Sequence, residues 1–409
     1  MTGRMLVVST NPDLPSAAGR WLRAEHVHGR RGTLRKKPSF SPRWRVALPM
    51  IVTFCLVWLG YLSIVTIVVA TDPYDIYRWG ARLKLTRNDV PRDVVVRWVD
   101  LVSKQSGINT FLVGGSTTAM YSPDDISAVL GENVVAYNLS YGGPRPMDRD
   151  IVLDQLAINA QAKRIIITFD WMYILDPEKM RQGFPEYLYD EEISDDIRMV
   201  DLKSLRRTWK VLLGETSYEA QDDEGYAKFT ERQYRSFQMP AQMAELQAVI
   251  EEYRSVVDAP SGRTCASFSA VNEQLVPRIR KFVEKGVQVD VIIPILSYAN
   301  YYFRMSDISA TLLDEVLLSR RCFVQSIDTL RNVRVFAWDD DPRIAGDLGN
   351  FRDPGHVYNP GLLRRTLTSL STGENRLTAA DVEAYERRIR TEVKSYRLRN
   401  SYLERTARN

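Results

Sequence analysis

Residues 109–118 read NTFLVGGSTT: a short β-branched and aromatic run, then two glycines, a serine and two threonines. An apolar run of this length is a strand with both faces covered, and the glycine pair closes it with a turn that leaves Ser116 at a helix entrance. Similar runs recur at Val134–Leu139 (VVAYNL), Arg164–Asp170 (RIIITFD), Val287–Ile295 (VQVDVIIPI) and Val333–Trp338 (VRVFAW), with helical stretches between them. Strands alternating with helices predict an α/β domain: five parallel strands and their crossovers in three layers. Two helix starts are well marked. Ser122-Pro123-Asp124-Asp125 supplies a cap, a first-turn proline and acids suited to the helix dipole, and Asn359-Pro360 repeats cap and proline.

Upstream, Val46–Thr71 holds 26 residues without a charge, and roughly 20 apolar residues span a bilayer core. A cleavable signal peptide is the alternative, since Val68 and Ala70 occupy small-residue positions, but the run exceeds the ~7–15 residues of a signal core and its leader is long. An uncleaved single-pass anchor is the expectation. Residues 1–45 hold ten Lys/Arg and two acids, while Asp72 and Asp75 follow the span, so the N-terminus is expected in the cytoplasm and the rest outside it. The chain's net charge of +4 therefore misleads, because the part after residue 45 carries 45 basic and 49 acidic residues. No nucleic-acid partner is implied. Three cysteines are too few for a disulfide framework or a paired-Cys zinc site. Cys55 lies in the span; Cys265 and Cys322 would face an oxidising compartment and either pair or remain buried free thiols.

The organisation expected is a cytoplasmic basic arm (1–45), an anchor (46–71), an extracytoplasmic α/β domain (72–372) and a charged, solvated C-terminal helix (373–409). Between the third and fourth strands an excursion of about 175–271, rich in charge and aromatics, reads as a helical insertion with a helix over Met239–Val257.

In an open parallel sheet, sites form at the carboxyl ends of strands. Four features fall there. Gly114-Gly115-Ser116 is a nucleophile turn, a phosphate-binding turn or a plain cap; no lysine follows, so the P-loop pattern fails. Ser140-Tyr141-Gly142-Gly143 is either a simple turn or one that aims backbone N–H groups at an oxyanion. Asp170-Trp171-Met172-Tyr173 sets an acid beside aromatics suited to a sugar face or a packed lid. Asp353-Pro354-Gly355-His356 carries most weight: His356 is the only histidine after the span, and an aspartate three residues ahead can orient a general base.

Together, and in this order, the four features resemble the SGNH (GDSL-type) hydrolase superfamily over roughly residues 108–170 and 287–370. The resemblance implies a flavodoxin-like three-layer domain in which Ser116 is the nucleophile, His356 the base and Asp353 its orienting acid. The N–H groups of Ser116 and the Gly142-Gly143 turn then form the oxyanion site, and Asp170, Trp171 and Tyr173 lie toward the substrate. Two departures stand out: Gly-Gly-Ser replaces Gly-Asp-Ser, and Asp170 stands near the place of an oxyanion-donating asparagine. These departures and the anchor are similar to membrane-anchored SGNH-like proteins of bacterial surface polysaccharides, whose alginate-acetylation and teichoic-acid D-alanylation relatives work beside a multi-spanning membrane acyltransferase. The implied activity is O-acyl transfer, chiefly of acetyl, to or from an extracytoplasmic polysaccharide at the inner membrane, with no metal or organic cofactor. A non-catalytic scaffold or glycan-binding subunit, and a plain esterase or lipase, are the competing readings.

Overall fold

The structure, a computed structural model, describes residues 42–72, 107–158, 161–214 apart from 176, 181, 183 and 190–197, and 240–401. Residues 1–41 of the basic arm and the last eight residues lie outside these. Helix α1 (Pro42–Thr71) starts four residues before the uncharged run and takes in Arg43 and Arg45. Within it Ala47–Thr71 is 25 residues of mean hydropathy 2.3. At ~1.5 Å per residue that length exceeds the ~30 Å hydrocarbon core, so length and composition fit α1 to cross a membrane. Its apolar side chains are exposed all round, as at Phe54, Leu56, Val57 and Leu59, which is unlike a helix of a soluble core.

The second unit of the chain, residues 61–409, is built on a sheet. Strands β1 (Thr110–Val113), β2 (Ala136–Asn138), β3 (Arg164–Thr168), β4 (Gln288–Ile292) and β5 (Val333–Phe336) fall on the five apolar runs and pair in parallel. A hairpin of β6 (Phe351–Asp353) and β7 (His356–Val357) stands apart as a second small sheet. The main sheet corrects the five-strand expectation: β8 (Arg376–Leu377) adds a sixth, antiparallel to β5, in the order β2-β1-β3-β4-β5-β8. Two residues after a helix C-cap carry no readable strand pattern.

The crossovers distribute the helices. From β1 the chain moves through α2 (Pro123–Leu130) to β2, then reverses through α3 (Pro146–Ile158) to β3 on the far side of β1. The reversal puts α2 and α3 on opposite faces and opens a crevice beyond the carboxyl ends of β1 and β3. Helices α6 (Val276–Glu284) and α8 (Leu312–Ile327) continue the α3 layer, while α10 (Pro360–Thr372) packs on α2. Both expected caps form: Ser122 Oγ accepts from the Asp124 N–H, and Asn359 Oδ1 accepts from the Gly361 and Leu362 N–H groups. Strand side chains such as Phe111, Ile166, Val291 and Phe336 are fully buried between the layers.

The described part of the β3–β4 excursion holds short 3-10 turns, α4 (Leu202–Leu212), α5 (Pro240–Tyr253) and a π-helical turn leading into α6. Helix α5 packs on α7 (Tyr298–Asp307). Cys265, in the excursion, is bonded to Cys322 of α8, with Cα atoms 5.4 Å apart. After α9 (Pro342–Ala345), the C-terminal helix α11 (Val382–Lys394) differs from the solvated helix expected. Val382, Tyr385, Ile389 and Val393 recur at helical spacing and are buried against α8, so only its other face is wet.

Candidate active site

Gly114 ends β1 where nothing larger fits: a Cβ there would stand 2.2 Å from the hydroxyls of both Thr118 and Thr168. Those hydroxyls meet at 2.9 Å, and Thr118 also meets Ser140 at 3.1 Å, so one cluster ties the ends of β1, β2 and β3. Ser116 follows on a turn closed by the Thr118 and Ala119 N–H groups on the Gly115 carbonyl. This corrects the helix-entrance placement. The Ser122-Pro123 cap starts α2 seven residues later, so Ser116 is presented on a tight turn, half-buried.

The β6–β7 hairpin faces this turn. Asp353 and His356 are register partners across it, and the His356 Nδ1 lies 2.6 and 2.9 Å from the two Asp353 carboxylate oxygens. Nδ1–H therefore donates to Asp353, and the lone pair of Nε2 accepts from the Ser116 hydroxyl at 2.8 Å. Burial alone would raise the Asp353 pKa. The His356 hydrogen bond and charge, Arg352 and the Gly355 N–H outweigh it and hold the carboxyl below its ordinary value. Buried Ser297, at the N-cap of α7, donates both its N–H (3.1 Å) and its hydroxyl (2.6 Å) to the Pro354 carbonyl, fixing the turn between acid and base.

Two backbone donors complete the arrangement. Among the described residues, the N–H groups of Ser116 and Gly143 have no hydrogen-bond partner, and both residues line one cavity of about 130 Å³ with His356. Gly143 adopts φ +65°, a conformation open to glycine at little cost. Gly142, expected to share the oxyanion role, is exposed and outside that cavity lining.

Asp170 does not present a bare charge. Its carboxylate is 2.6 Å from the Arg149 guanidinium, accepts from the Met172 N–H at 3.0 Å and is buried. Arg149 reaches in from α3 and also donates to the Thr168 carbonyl. Burial works against its charge, yet Asp170 outweighs that effect and its pKa stands above the ordinary arginine value. Gly115 lies directly against this pair, 3.3 Å from Asp170 and 3.4 Å from Arg149 measured at its Cβ position. An aspartate at 115 would crowd a second carboxylate onto Asp170, which accounts for the Gly-Gly-Ser spelling.

Of the aromatics, Trp171 is half-buried and lines the cavity, whereas Tyr173 does not. Its ring is 1% exposed, stacked on Phe169 at 5.0 Å and beneath Arg149, which rules it out as a substrate contact. Sequence reasoning missed three cavity residues, Arg149, Asn300 and Arg304. The strand-end rule could have found Asn300, which follows the carboxyl end of β4 on the first turn of α7; nothing in the sequence marks Arg149. Compared with known proteins, the chain matches no protein-family model and no curated protein sequence.

Proposed function

We propose that this chain is a membrane-anchored protein of the flavodoxin-like SGNH type that transfers a short acyl group, acetyl above all, to or from an extracytoplasmic polysaccharide. The observation that carries the reading is the relay from Asp353 through His356 to Ser116 beside two unpartnered backbone N–H groups. In the forward step the Ser116 Oγ bonds to the acyl carbonyl carbon while its proton passes to His356 Nε2. The carbonyl oxygen gains charge facing the Ser116 and Gly143 N–H groups. Collapse breaks the bond to the leaving oxygen, which takes the proton from His356, and a sugar hydroxyl or water then releases the acyl group by the reverse sequence. Asp353 holds the imidazole tautomer and supports its charged form.

Size favours a short acyl group over a lipid chain. A cavity of about 130 Å³ holds roughly four waters at ~30 Å³ each, well under the ~300–1,000 Å³ of sites that take drug-sized ligands. Helix α1 is the anchor, with the basic arm cytoplasmic and the α/β domain outside. The partners on this reading are the glycan, membrane lipid around α1 and a multi-spanning acyltransferase that supplies acyl groups.

The test is acyl-enzyme trapping by mass spectrometry, with glycan acylation measured in cells carrying each variant. Ser116→Ala and His356→Ala each remove nearly all activity; Asp353→Asn costs a large but smaller factor, because the three act as a unit and their losses do not add. Wild-type acylation in Ser116→Ala cells would leave a scaffold in place of an enzyme.

A further inference from the structure

Helix α4 turns its small polar residues inward and its large apolar ones outward. Ser204 and Thr208, one turn apart, are buried, and the Ser204 hydroxyl is held by the Met199 carbonyl and the Asp201 carboxylate. On the other side Leu202, Trp209 and the C-cap Leu213 recur at i, i+7 and i+11 and so share one ridge, with Leu212 beside it. All four are exposed, Leu202 by 84% and Leu213 by 67%. Single exposed leucines are ordinary, but a contiguous apolar patch that includes a tryptophan marks a surface that meets a partner. The charge beside the patch narrows that partner. Lys203, Arg206 and Lys210 are exposed along one flank and α4 carries no acid. Among the described residues, none of these three side chains has an ion-pair or hydrogen-bond partner. An apolar ridge with a tryptophan, flanked by lysine and arginine, has the composition of helices that lie in a membrane interface. There the ring sits at headgroup level and the long basic side chains reach lipid phosphates. The chain also carries α1, whose length and composition fit a membrane span, so a bilayer is at hand.

We infer that α4 is an interfacial helix that docks on an anionic lipid surface. Leu202, Trp209, Leu212 and Leu213 enter the boundary between headgroups and acyl chains, and Lys203, Arg206 and Lys210 pair with lipid phosphates. The 11 residues of α4 rise only ~16 Å, too short for a ~30 Å hydrocarbon core, so the helix lies along the surface. The nearness of a bilayer rests on α1 as the anchor; the docking surface does not depend on the acyl-enzyme reading.

The experiment uses the full-length protein in liposomes of phosphatidylcholine, alone or mixed with phosphatidylglycerol. In a Cys55→Ser background, Leu212→Cys carries a nitrobenzoxadiazole label, the bond between Cys265 and Cys322 leaving it the single free thiol. With phosphatidylglycerol, blue-shifted emission and quenching by doxyl-labelled lipid are expected, and both weaken in high salt. Replacing Lys203, Arg206 and Lys210 together by Gln lowers the docking constant on the order of 10²-fold, roughly fivefold for each basic residue removed. In the unlabelled wild type, amide exchange across α4 slows when phosphatidylglycerol is added, a readout that needs no variant. A water-exposed label in both lipids, equal quenching in the two, or unslowed exchange would overturn the inference. So would a blue-shifted label that doxyl lipid fails to quench, the ridge then being covered by residues 215–239 or a second copy. Alkaline extraction of the protein from the liposomes would instead overturn α1 as the anchor, whatever the label reads.

Discussion

Asp150 shows how one buried side chain makes the fold sensitive to pH. It lies on α3 next to Arg149, is 3% exposed, and has one carboxylate oxygen without a partner. Arg278 approaches the other at 3.2 Å but is shared with Asp154 at 2.7 Å. Burial pushes the Asp150 pKa up to about 7, Arg278 only partly opposing it. The unfolded value is about 3.9, so between about pH 4 and 7 the folded state holds a proton that the unfolded state has lost. Stability due to this group is therefore full below the unfolded value and declines as pH rises toward 7. Asp150→Asn should flatten that slope, gaining up to about 4 kcal/mol over the wild type at pH 8 and little at pH 4.5. Denaturant midpoints at the two pH values check it, and parallel curves would refute it. At this scale Ser116, Asp353 and His356 were legible because reactive types at strand ends are few and histidine is scarce. Arg149 and Asn300 were not, since what distinguishes them is a place at the cavity reached only in three dimensions. The same holds for Asp170, whose charge is offset by Arg149.

Among the elements, the bond between Cys265 and Cys322 joins the excursion to α8 across a sequence separation of 57. In the chain-entropy account a loop of that length is worth about 4 kcal/mol. Both cysteines should resist thiol labelling until reduced, and reduction should lower the melting temperature and loosen the π-helical turn leading into α6. Labelling of both in unreduced protein would dispose of the bridge. Two residues before Cys322, buried polar contacts hold a different face of α8. Arg320 donates to Asp339 and the Tyr385 hydroxyl at 2.8 Å each, and Tyr385 donates to Asp339 at 2.6 Å, docking α11 onto α8. These contacts explain why α11 looked solvated in sequence: its arginines and glutamates dominate the composition, while only every third or fourth residue is apolar. The five parallel strands were legible because continuous apolar runs have few alternatives. Strand β8 was not, because two residues show no period, and the β6–β7 hairpin was hidden inside a motif that reads as a turn.

For the whole molecule, the apolar α1 and the arginine-rich leader make an orientation testable. A reporter active only outside the cytoplasm should be active when fused after Asn409 and inactive when fused before Arg43; the reverse pattern would overturn the orientation and the compartment argument for the disulfide. The sheet's ends bear on a different property. Its outermost strands are β2, with three residues, and β8, with two. Each leaves few free backbone groups, whereas the longer β3 and β4 are enclosed between neighbours. A second copy arriving edge-on finds almost no template for continuing the sheet. The consequence is colloidal: copies of this domain brought to high local density can crowd together without their sheets zipping into fibres.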